Sequence, residues 1–364
     1  MKHKNIILSA VMLVLIFGLS AFAWFRPQDE FSLSERRKLA RMPELSVKTV
    51  FSGKFMSDFE KYSQDQFPMR DAFRALKAET AVNVFGNLDN NGIYIHNGSA
   101  AKMEYPLFEK DIHHAAERFG YIYEKYLKNS GTKNYIAVIP DKNYYMAEES
   151  GHLMMDYAEL DELLRSSMDW AEFISLSDTL SADDYYRTDT HWSQDRIIPA
   201  AERLAEAMGV SIDTDFEVRS TDRDFYGVYA SQAALPMEPD RINYLTGRWT
   251  ENCTVHDYQN GRDIPVYDME KAAGKDPYEM FLSGPLSLLR IENPDADTDR
   301  ELIIFRDSFA GSLAPLLISG YKSITLADIR YIHPDMLEKY IDFQGRDVLF
   351  LYSTSVLNNS ATIK

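Results

Sequence analysis

Cysteine is nearly absent from this sequence, since Cys253 is the single one among 364 residues. No disulfide can therefore form within the chain. An exported form has to be stable without cross-links, which a domain of this size can achieve. No catalytic signature surrounds Cys253, so we interpret it as a buried structural thiol rather than a nucleophile.

Positive charge is also scarce. The 39 Lys and Arg residues are outnumbered by 56 Asp and Glu residues, which gives a formal net charge of −17. Such a surface repels polyanions, and recognition of a phosphate backbone needs a basic footprint, so the composition argues against a nucleic-acid partner. The hydrophobic share of 45% is enough for a sizeable core, so we expect a globular protein.

The one long apolar run lies at the N-terminus. Residues from Asn5 to Phe25 carry no charge and follow Lys2 and Lys4. About 20 apolar residues suffice to span a bilayer core of roughly 30 Å as a helix. Because positive charges on a short flank stay cytoplasmic, residues 1–26 are predicted to form a single-pass signal anchor in the cell membrane, with the rest of the chain outside the cytoplasm.

A cleavable signal peptide is the alternative to an anchor. Ala21-Phe22-Ala23 fits the small-x-small cleavage pattern, so cleavage near Ala23 would release a secreted protein. The apolar run is longer than the core of a usual signal peptide, and it lacks a polar segment before that site. Phe22, Trp24 and Phe25 also resemble the aromatic belt of a membrane interface, and we therefore favour the anchor.

Apolar periodicity and turn residues divide the rest of the chain. Residues 27–46 are predicted to be a juxtamembrane linker of mixed charge. Residues 47–84 carry apolar side chains at helical spacing, which Pro68 should split into two helices. Residues 210–295 are rich in turns and irregular. The simplest organisation is one catalytic domain over residues 47–364, with that irregular insertion inside it.

Helices alternate with short apolar strands in the remaining segments. Helices are predicted near residues 111–128, 157–168, 193–208, 310–319 and 334–343. Strands are predicted at residues 135–139, 173–176, 302–305, 323–326 and 348–352. This alternation predicts an α/β fold with a mainly parallel sheet and helices on both faces. Sites in such sheets lie at the carboxyl ends of the strands.

Two segments carry residues suited to nucleophilic catalysis. Ser308 follows an apolar strand and precedes a predicted helix, where backbone N–H groups and the helix dipole can hold an oxyanion. Asp189 and His191 are two residues apart, so in an extended loop they project to the same side. These residues predict a serine site in which His191 takes the proton of Ser308 and Asp189 orients the imidazole.

Simpler roles remain open for each of these residues. A serine after a strand often caps a helix, and Asp307-Ser308 is well suited to that role. The Asp189–His191 pair could be a structural hydrogen bond, or half of a metal site that Asp195 helps to complete.

These segments resemble the DHHW protein family, which is related to the alginate O-acetyltransferases AlgX and AlgJ. In that family an Asp-x-His-Trp motif precedes the serine in the chain. Here Asp189, His191 and Trp192 match the motif, and the serine block is matched by Asp307-Ser308-Phe309. The resemblance implies an SGNH-hydrolase-like fold.

The resemblance extends over nearly the whole chain. Residues 34–43 are similar to the N-terminal signature of the family, with Arg36 in place of the usual asparagine. Phe67-Pro68-Met69-Arg70 resembles its Phe-Pro-x-Arg block. Pro140-Asp141-Lys142 follows the first central strand, as in the family.

One block departs from the family pattern. Relatives tend to show Gly-Gly-Asn where this chain has Ser283-Gly284-Pro285. The asparagine amide that SGNH enzymes often use as an oxyanion donor is therefore missing, and Gly284 remains a candidate donor through its backbone N–H. Candidates for supplying positive charge in place of the asparagine are Arg70, Lys142, Arg306 and Arg330.

The resemblance implies transfer of an acetyl group to sugar hydroxyls of an exopolysaccharide outside the cytoplasmic membrane. The partners it implies are the polysaccharide acceptor and a membrane-bound O-acyltransferase that passes the acyl group across the bilayer. No metal or other cofactor is required. Aromatic residues that could bind sugar by stacking are Tyr185, Tyr186, Trp192, Tyr226 and Tyr229.

Two other functions fit the same residues. An exported acetyl esterase, acting as a carbohydrate deacetylase, would use the same triad but let water reach the acyl-enzyme. A non-catalytic glycan-binding subunit of a polysaccharide-modification complex would account for the altered block around Gly284. The retained Asp189, His191 and Ser308 argue against the second of these.

Overall fold

The computed structural model describes residues 2–32, 34–35 and 37–364. Arg36, where the chain differs from the family signature, lies outside the described residues. The chain divides into two compact units, an N-terminal unit (Met1–Asn91 and Ala230–Pro236) and a sheet unit (Gly92–Tyr229 and Met237–Lys364). The domain boundaries at residues 26 and 46 stay predictions.

The N-terminal unit is mainly helical. Its elements are α1 (Lys2–Phe25), β1 (Phe31–Ser32), β2 (Arg37–Lys38), α2 (Val47–Phe51), α3 (Lys54–Asp65) and α4 (Arg70–Glu79). The break predicted at Pro68 is confirmed, because α3 ends at Asp65 and α4 begins at Arg70. By length and composition His3–Phe25 can cross a membrane, which fits an anchor or a signal sequence.

The sheet unit is built on one large sheet. Its strands are β3 (Ile93–His96), β4 (Ser99–Lys102), β5 (Lys133–Ile139), β6 (Glu172–Ser175), β7 (Glu217–Ser220), β8 (Asn243–Thr246), β9 (Thr254–Asp257), β10 (Arg262–Ile264), β11 (Leu288–Glu292), β12 (Glu301–Arg306), β13 (Ser323–Ala327) and β14 (Asp347–Ser353). Eight of them pair in the order β10-β9-β11-β13-β12-β14-β5-β6. From β13 to β6 the neighbours are parallel, whereas β11, β9 and β10 are antiparallel to theirs. The mainly parallel α/β fold is confirmed.

Helices cover both faces of this sheet, as predicted. The helices after residue 92 are α5 (Glu109–Ile122), α6 (Lys142–Ser150), α7 (Tyr157–Ser167), α8 (Ile198–Met208), α9 (Val228–Ala233), α10 (Arg248–Asn252), α11 (Met269–Ala272), α12 (Ala310–Leu317) and α13 (Thr354–Leu357). Successive residues of a strand point to opposite faces. Leu302 and Ile304 of β12 thus pack with α8 and α12, while Ile303 and Phe305 pack with α5 and α7.

One predicted helix takes a different form. The segment at 334–343 is a 3-10 helix over Pro334–Lys339 that ends before Ile341. Ile341 and Phe343 are both buried, and an α-helix would place residues two apart on different faces. The buried pair therefore draws this segment out of helical geometry. The irregular stretch at 210–295 supplies β9, β10 and β11, the antiparallel wing of the sheet.

Candidate active site

Ser308 lies two residues beyond the carboxyl end of β12. The fully buried Asp307 fixes this turn, because its carboxylate accepts from Phe309 N at 3.0 Å and from Ser353 N at 2.7 Å, which joins the ends of β12 and β14. The N-cap position of α12 is Phe309, and no side-chain cap bond is present there. The Ser308 hydroxyl is directed instead toward His191, whose Nε2 lies 2.8 Å from Ser308 Oγ.

Asp189 and His191 meet Ser308 from a loop 117 residues earlier in the chain. Asp189 Oδ1 accepts from His191 Nδ1 at 2.6 Å and from His191 N at 3.0 Å. Its other oxygen accepts from Val228 N at 2.7 Å. With the Nδ1 proton engaged by a buried carboxylate, Nε2 is left as an acceptor for the serine proton. The structure thus brings together the three residues that the sequence predicts as catalytic.

A buried carboxylate holds the loop that carries this pair. Asp240 accepts from Arg187 N at 3.0 Å, from Thr188 N at 2.8 Å and from Thr188 Oγ1 at 2.5 Å. Gly227 closes the loop from the other side, since a Cβ atom built there would lie 2.3 Å from the Cβ of Asp189. The position of Asp189 therefore depends on a residue without a side chain at 227.

Lys142 lies behind the loop with its amino group buried. Its Nζ donates to Tyr186 O at 2.8 Å and to Arg187 O at 3.2 Å, and the side chain is 1% exposed. Burial lowers the pKa of Lys142 to about 7, against the opposing charges of Asp189 and Asp240. The hydrogen bonds of its Nζ therefore support the loop backbone from within the protein.

Most aromatic residues predicted to bind sugar are not accessible to it. Trp192 is fully buried, and its indole N–H donates to Ser312 Oγ at 2.8 Å. Tyr185, Tyr186 and Tyr229 are also buried, while Tyr226 is exposed. Trp192 therefore belongs to the packing around the loop, and of these five side chains only Tyr226 presents its ring to solvent.

Arg306 and Arg330 are engaged at the carboxyl ends of β12 and β13. Arg306 is buried and donates to Leu286 O at 3.0 Å and to Asp307 O at 3.3 Å. Arg330 pairs with Asp328 at 2.7 Å. Burial lowers the pKa of Arg306, which nevertheless stays a cation beside the serine turn.

The remaining two candidates have other surroundings. Gly284 ends a run of three residues with positive φ that begins at Leu282. Such a run is strained for the side chains it contains, and strain of this kind is often found at functional sites. Arg70 lies in the N-terminal unit, where it pairs with Glu35 at 2.6 Å. For both, the proposed role in the site remains a prediction.

Asp195, the third residue of the metal alternative, has hydrogen-bond partners other than Asp189 and His191. Asp195 accepts from Ser193 Oγ at 2.5 Å and from Asn243 Nδ2 at 3.0 Å. Among the described residues no group of three His, Cys, Asp or Glu side chains is placed to hold a metal ion.

Sequence reasoning missed Gly227, Asp240 and a stacked Tyr278 that contacts His191. All three come from the turn-rich stretch at 210–295, where no periodicity indicates which side chains face the sheet. The signal that could have found Gly227 is its place in the short Tyr226-Gly227-Val228 segment, where a glycine often marks a close backbone approach.

No protein-family model matches the chain, and no curated protein matches it in sequence. Its fold is similar to that of a DHHW family protein from Eubacterium siraeum, with a TM-score of 0.59 and 20% identity over 76% of this chain and 96% of that one. It is similar to Bacillus cereus PatB1 carrying a sulfonyl adduct, with a TM-score of 0.58 and 20% identity over 73% and 95% of the two chains.

A third similar structure is the O-acetyltransferase domain of Pseudomonas putida AlgJ, with a TM-score of 0.45 and 14% identity over 73% of this chain and 92% of that domain. At 20% identity, the similarity to the first two structures establishes a shared fold. The sheet unit has the mainly parallel α/β architecture that the sequence predicts, and the resemblance to a DHHW family protein is confirmed at the level of the fold.

Proposed function

We propose that this chain is a serine-dependent O-acetyltransferase that acetylates sugar hydroxyls of an exopolysaccharide outside the cytoplasmic membrane. The observation that carries the proposal is the arrangement of His191, with Nε2 at 2.8 Å from Ser308 Oγ and Nδ1 at 2.6 Å from Asp189. A hydroxyl, an oriented imidazole and a buried carboxylate in this order are the parts of an activated serine.

The reaction would proceed in two halves. Ser308 Oγ attacks the acetyl carbonyl of a donor while His191 takes the hydroxyl proton, and the donor's leaving group departs with that proton. In the second half, His191 takes a proton from a sugar hydroxyl, whose oxygen attacks the acetyl-serine. The ester bond to Ser308 breaks, and the proton on His191 returns to Ser308 Oγ.

The oxyanion formed in each half requires hydrogen-bond donors. The first turn of α12 begins just after Ser308, and backbone N–H groups at a helix start have no acceptor within the helix. One such donor often contributes about 10²–10³ in rate. The guanidinium groups of Arg306 and Arg330 supply the further positive charge of the proposal, whereas the N–H of Gly284 donates to Phe281 O at 3.2 Å.

The setting follows from the helix at the N-terminus. An uncleaved α1 would tether the catalytic domain of residues 47–364 through the linker of residues 27–46, whereas cleavage near Ala23 would release it. A tether keeps an enzyme near a membrane-bound donor and raises the effective concentration of both. The donor partner of the proposal is a membrane-bound O-acyltransferase, and the acceptor is the polysaccharide.

Three measurements test the proposal. A sulfonyl fluoride should modify Ser308, as seen by peptide mass spectrometry, and Ser308→Ala should abolish the modification. An acetyl-ester donor together with a neutral glycan should yield acetylated glycan with the natural chain and none with Ser308→Ala. Acetate release without glycan acetylation would indicate an esterase. Cellular glycan acetylation that persists with Ser308→Ala would indicate a non-catalytic subunit.

A further inference from the structure

An aromatic ring from the turn-rich stretch lies flat against the imidazole of His191. The centroids of the Tyr278 and His191 rings are 3.9 Å apart with 14° between their planes, which is a stacked arrangement. Tyr278 is buried and sits in a 3-10 helix over Pro277–Met280. A second ring, Phe309, lies 4.8 Å from the imidazole at a tilt of 49°. The imidazole is thus held by rings as well as by its hydrogen bonds.

A fully buried serine on α12 fixes the hydroxyl of Tyr278. Tyr278 Oη lies 2.9 Å from Ser312 Oγ, and Trp192 Nε1 donates to the same oxygen at 2.8 Å. Ser312 Oγ donates in turn to Phe309 O at 3.2 Å. A hydroxyl has one proton and two acceptor sites, so this set leaves Tyr278 as a donor to Ser312. Burial raises the pKa of Tyr278 well above its ordinary value, which keeps the donated proton in place.

We infer that Tyr278 is a positioning residue of the serine site, held by Trp192 through Ser312, and that its ring stabilises the imidazolium form of His191. The inference rests on the proposed function, because His191 becomes an imidazolium during catalysis only if it is the general base for Ser308. The face of an aromatic ring carries partial negative charge and attracts a cation in contact with it. A stacked ring also keeps the imidazole from turning away from Ser308.

The charged groups around this contact have hydrogen-bond partners other than Tyr278. Asp189 accepts from His191 itself. Lys142 donates to two loop carbonyls, and the carboxylate of Asp307 accepts from two backbone N–H groups. Their contribution is common to every Tyr278 variant, so a change in the pH profile after replacement reports the loss of the ring.

The test measures the rate at which phenylmethylsulfonyl fluoride modifies Ser308 in the full chain, as a function of pH, by mass spectrometry. The rate rises as the general base loses its proton. For Tyr278→Leu we expect the acidic limb to move to lower pH by about half a unit and the plateau to fall about 10-fold. For Tyr278→Phe, which keeps the ring, we expect the limb to stay and the plateau to fall about 3-fold.

Tyr123→Leu is the matched control. Tyr123 stacks on Trp170 with centroids 4.4 Å apart and 10° between planes, in the hydrophobic cluster on the α5 and α7 face of the sheet. Its removal costs a comparable ring contact, and we expect the limb and the plateau to stay as in the natural chain.

A folded Tyr278→Leu protein with an unchanged limb and plateau would overturn the inference. Should that variant not fold, Ser312→Ala decides the question. Loss of the hydrogen bond from Tyr278 to Ser312 should lower the plateau about 3-fold, and an unchanged rate would contradict the inference. Absence of any Ser308 modification in the natural chain would contradict the proposed function. Modification that is insensitive to Tyr278 contradicts the inference alone.

Discussion

The two units of the chain depart from the usual distribution of side chains in opposite directions. The N-terminal unit exposes large apolar side chains, among which Phe51 is 89% and Phe85 76% exposed. The sheet unit buries charge, with Lys142, Asp189 and Arg306 each no more than 2% exposed. A buried charge costs free energy unless hydrogen bonds compensate it, and in this unit each of the three has such partners.

The difference suggests a different role for each unit, a chemical site in the sheet unit and a contact surface in the N-terminal unit. Buried charges with shifted pKa values tend to mark chemical sites. Burial lowers the pKa of both Lys142 and Arg306, and these side chains donate to the Asp189 loop and to the Ser308 turn respectively. Contiguous exposed apolar surface tends to mark contact with lipid or protein. A cavity of about 780 Å³ in the N-terminal unit is lined by residues of α1, α3 and α4, including Trp24, Phe59 and Phe73. The exposed apolar side chains of α1 are the part of this unit that the proposed membrane setting would cover.

The largest expected effect comes from removing one buried charge. Asp189→Asn places an amide where the carboxylate accepts from His191 Nδ1, so the imidazole turns to the tautomer that cannot take a proton at Nε2. We expect sulfonylation of Ser308 to slow by about 10³-fold or more. Asp178→Asn is the control, because Asp178 is an exposed partner of Arg203. A folded Asp189→Asn protein that reacts at more than a tenth of the natural rate would contradict this role.

Adding a methyl group at Gly227 should displace the carboxylate of Asp189. In Gly227→Ala the new Cβ would overlap that of Asp189, so the loop has to shift. We expect a loss of about 10²-fold in the sulfonylation rate, because such displacements are costly in catalysis. Gly120→Ala in α5 is the control, since a Cβ there meets nothing within 4 Å and should be neutral or stabilising. Equal rates for the two variants would show that the contact is not constraining.

The buried lysine should make stability depend on pH. The pKa of Lys142 is about 7 in the folded chain because of burial, against roughly 10.4 for an unfolded lysine. Between these values the unfolded chain binds more protons, so the free energy of unfolding should rise with pH, on the order of 1 kcal/mol per unit. Lys142→Met should remove this rise.

Urea denaturation at pH 7.5 and 9.5 measures the contribution of Lys142. Lys128→Met is the control, because Lys128 pairs with Glu124 on the surface and should leave the rise intact. The same slope in Lys142→Met and the natural chain would exclude a buried titration at this position.

The smallest effect is expected on the apolar surface of the N-terminal unit. Phe85→Ser should change the free energy of unfolding by no more than about 0.5 kcal/mol, because an exposed ring has little packing to lose. Phe119→Ala in the core of the sheet unit should cost about 3–5 kcal/mol. Denaturation of both variants in detergent tests the contrast. A large loss in Phe85→Ser would mean that this ring is part of a core.

The sequence predicted well what local spacing determines. The strands at 302–305 and 348–352 and the helix break at Pro68 follow from apolar runs and from the missing N–H of proline, and each lies within a residue or two of its observed place. Helix α6 was not predicted, although Asp141 caps it by accepting from Asn143 N. Its apolar side chains lack a clear stripe, so only the cap marked its start.

The site was predictable in part for a related reason. Ser308 and His191 lie at the ends of recognisable segments, and the edge rule for parallel sheets brings such ends together. Tyr278 and Asp240 reach the loop by tertiary packing of an irregular segment, and no spacing in the sequence connects them to it. Trp192 carried a motif signal, but a motif does not tell whether a ring faces a ligand or the interior.

The Asp307 carboxylate links the ends of β12 and β14, and this link affects the order in which parts of the site unfold. Strands in the centre of a sheet open last, and loops that surround a site open at lower free energy. As the protein loosens, the loop with His191 should detach while Ser308 still sits on the sheet. The amide of Val228, which donates to Asp189, should then exchange with solvent hydrogen faster than that of Ser353, which donates to Asp307. A partly opened molecule would keep its nucleophile in place and lack the base that activates it.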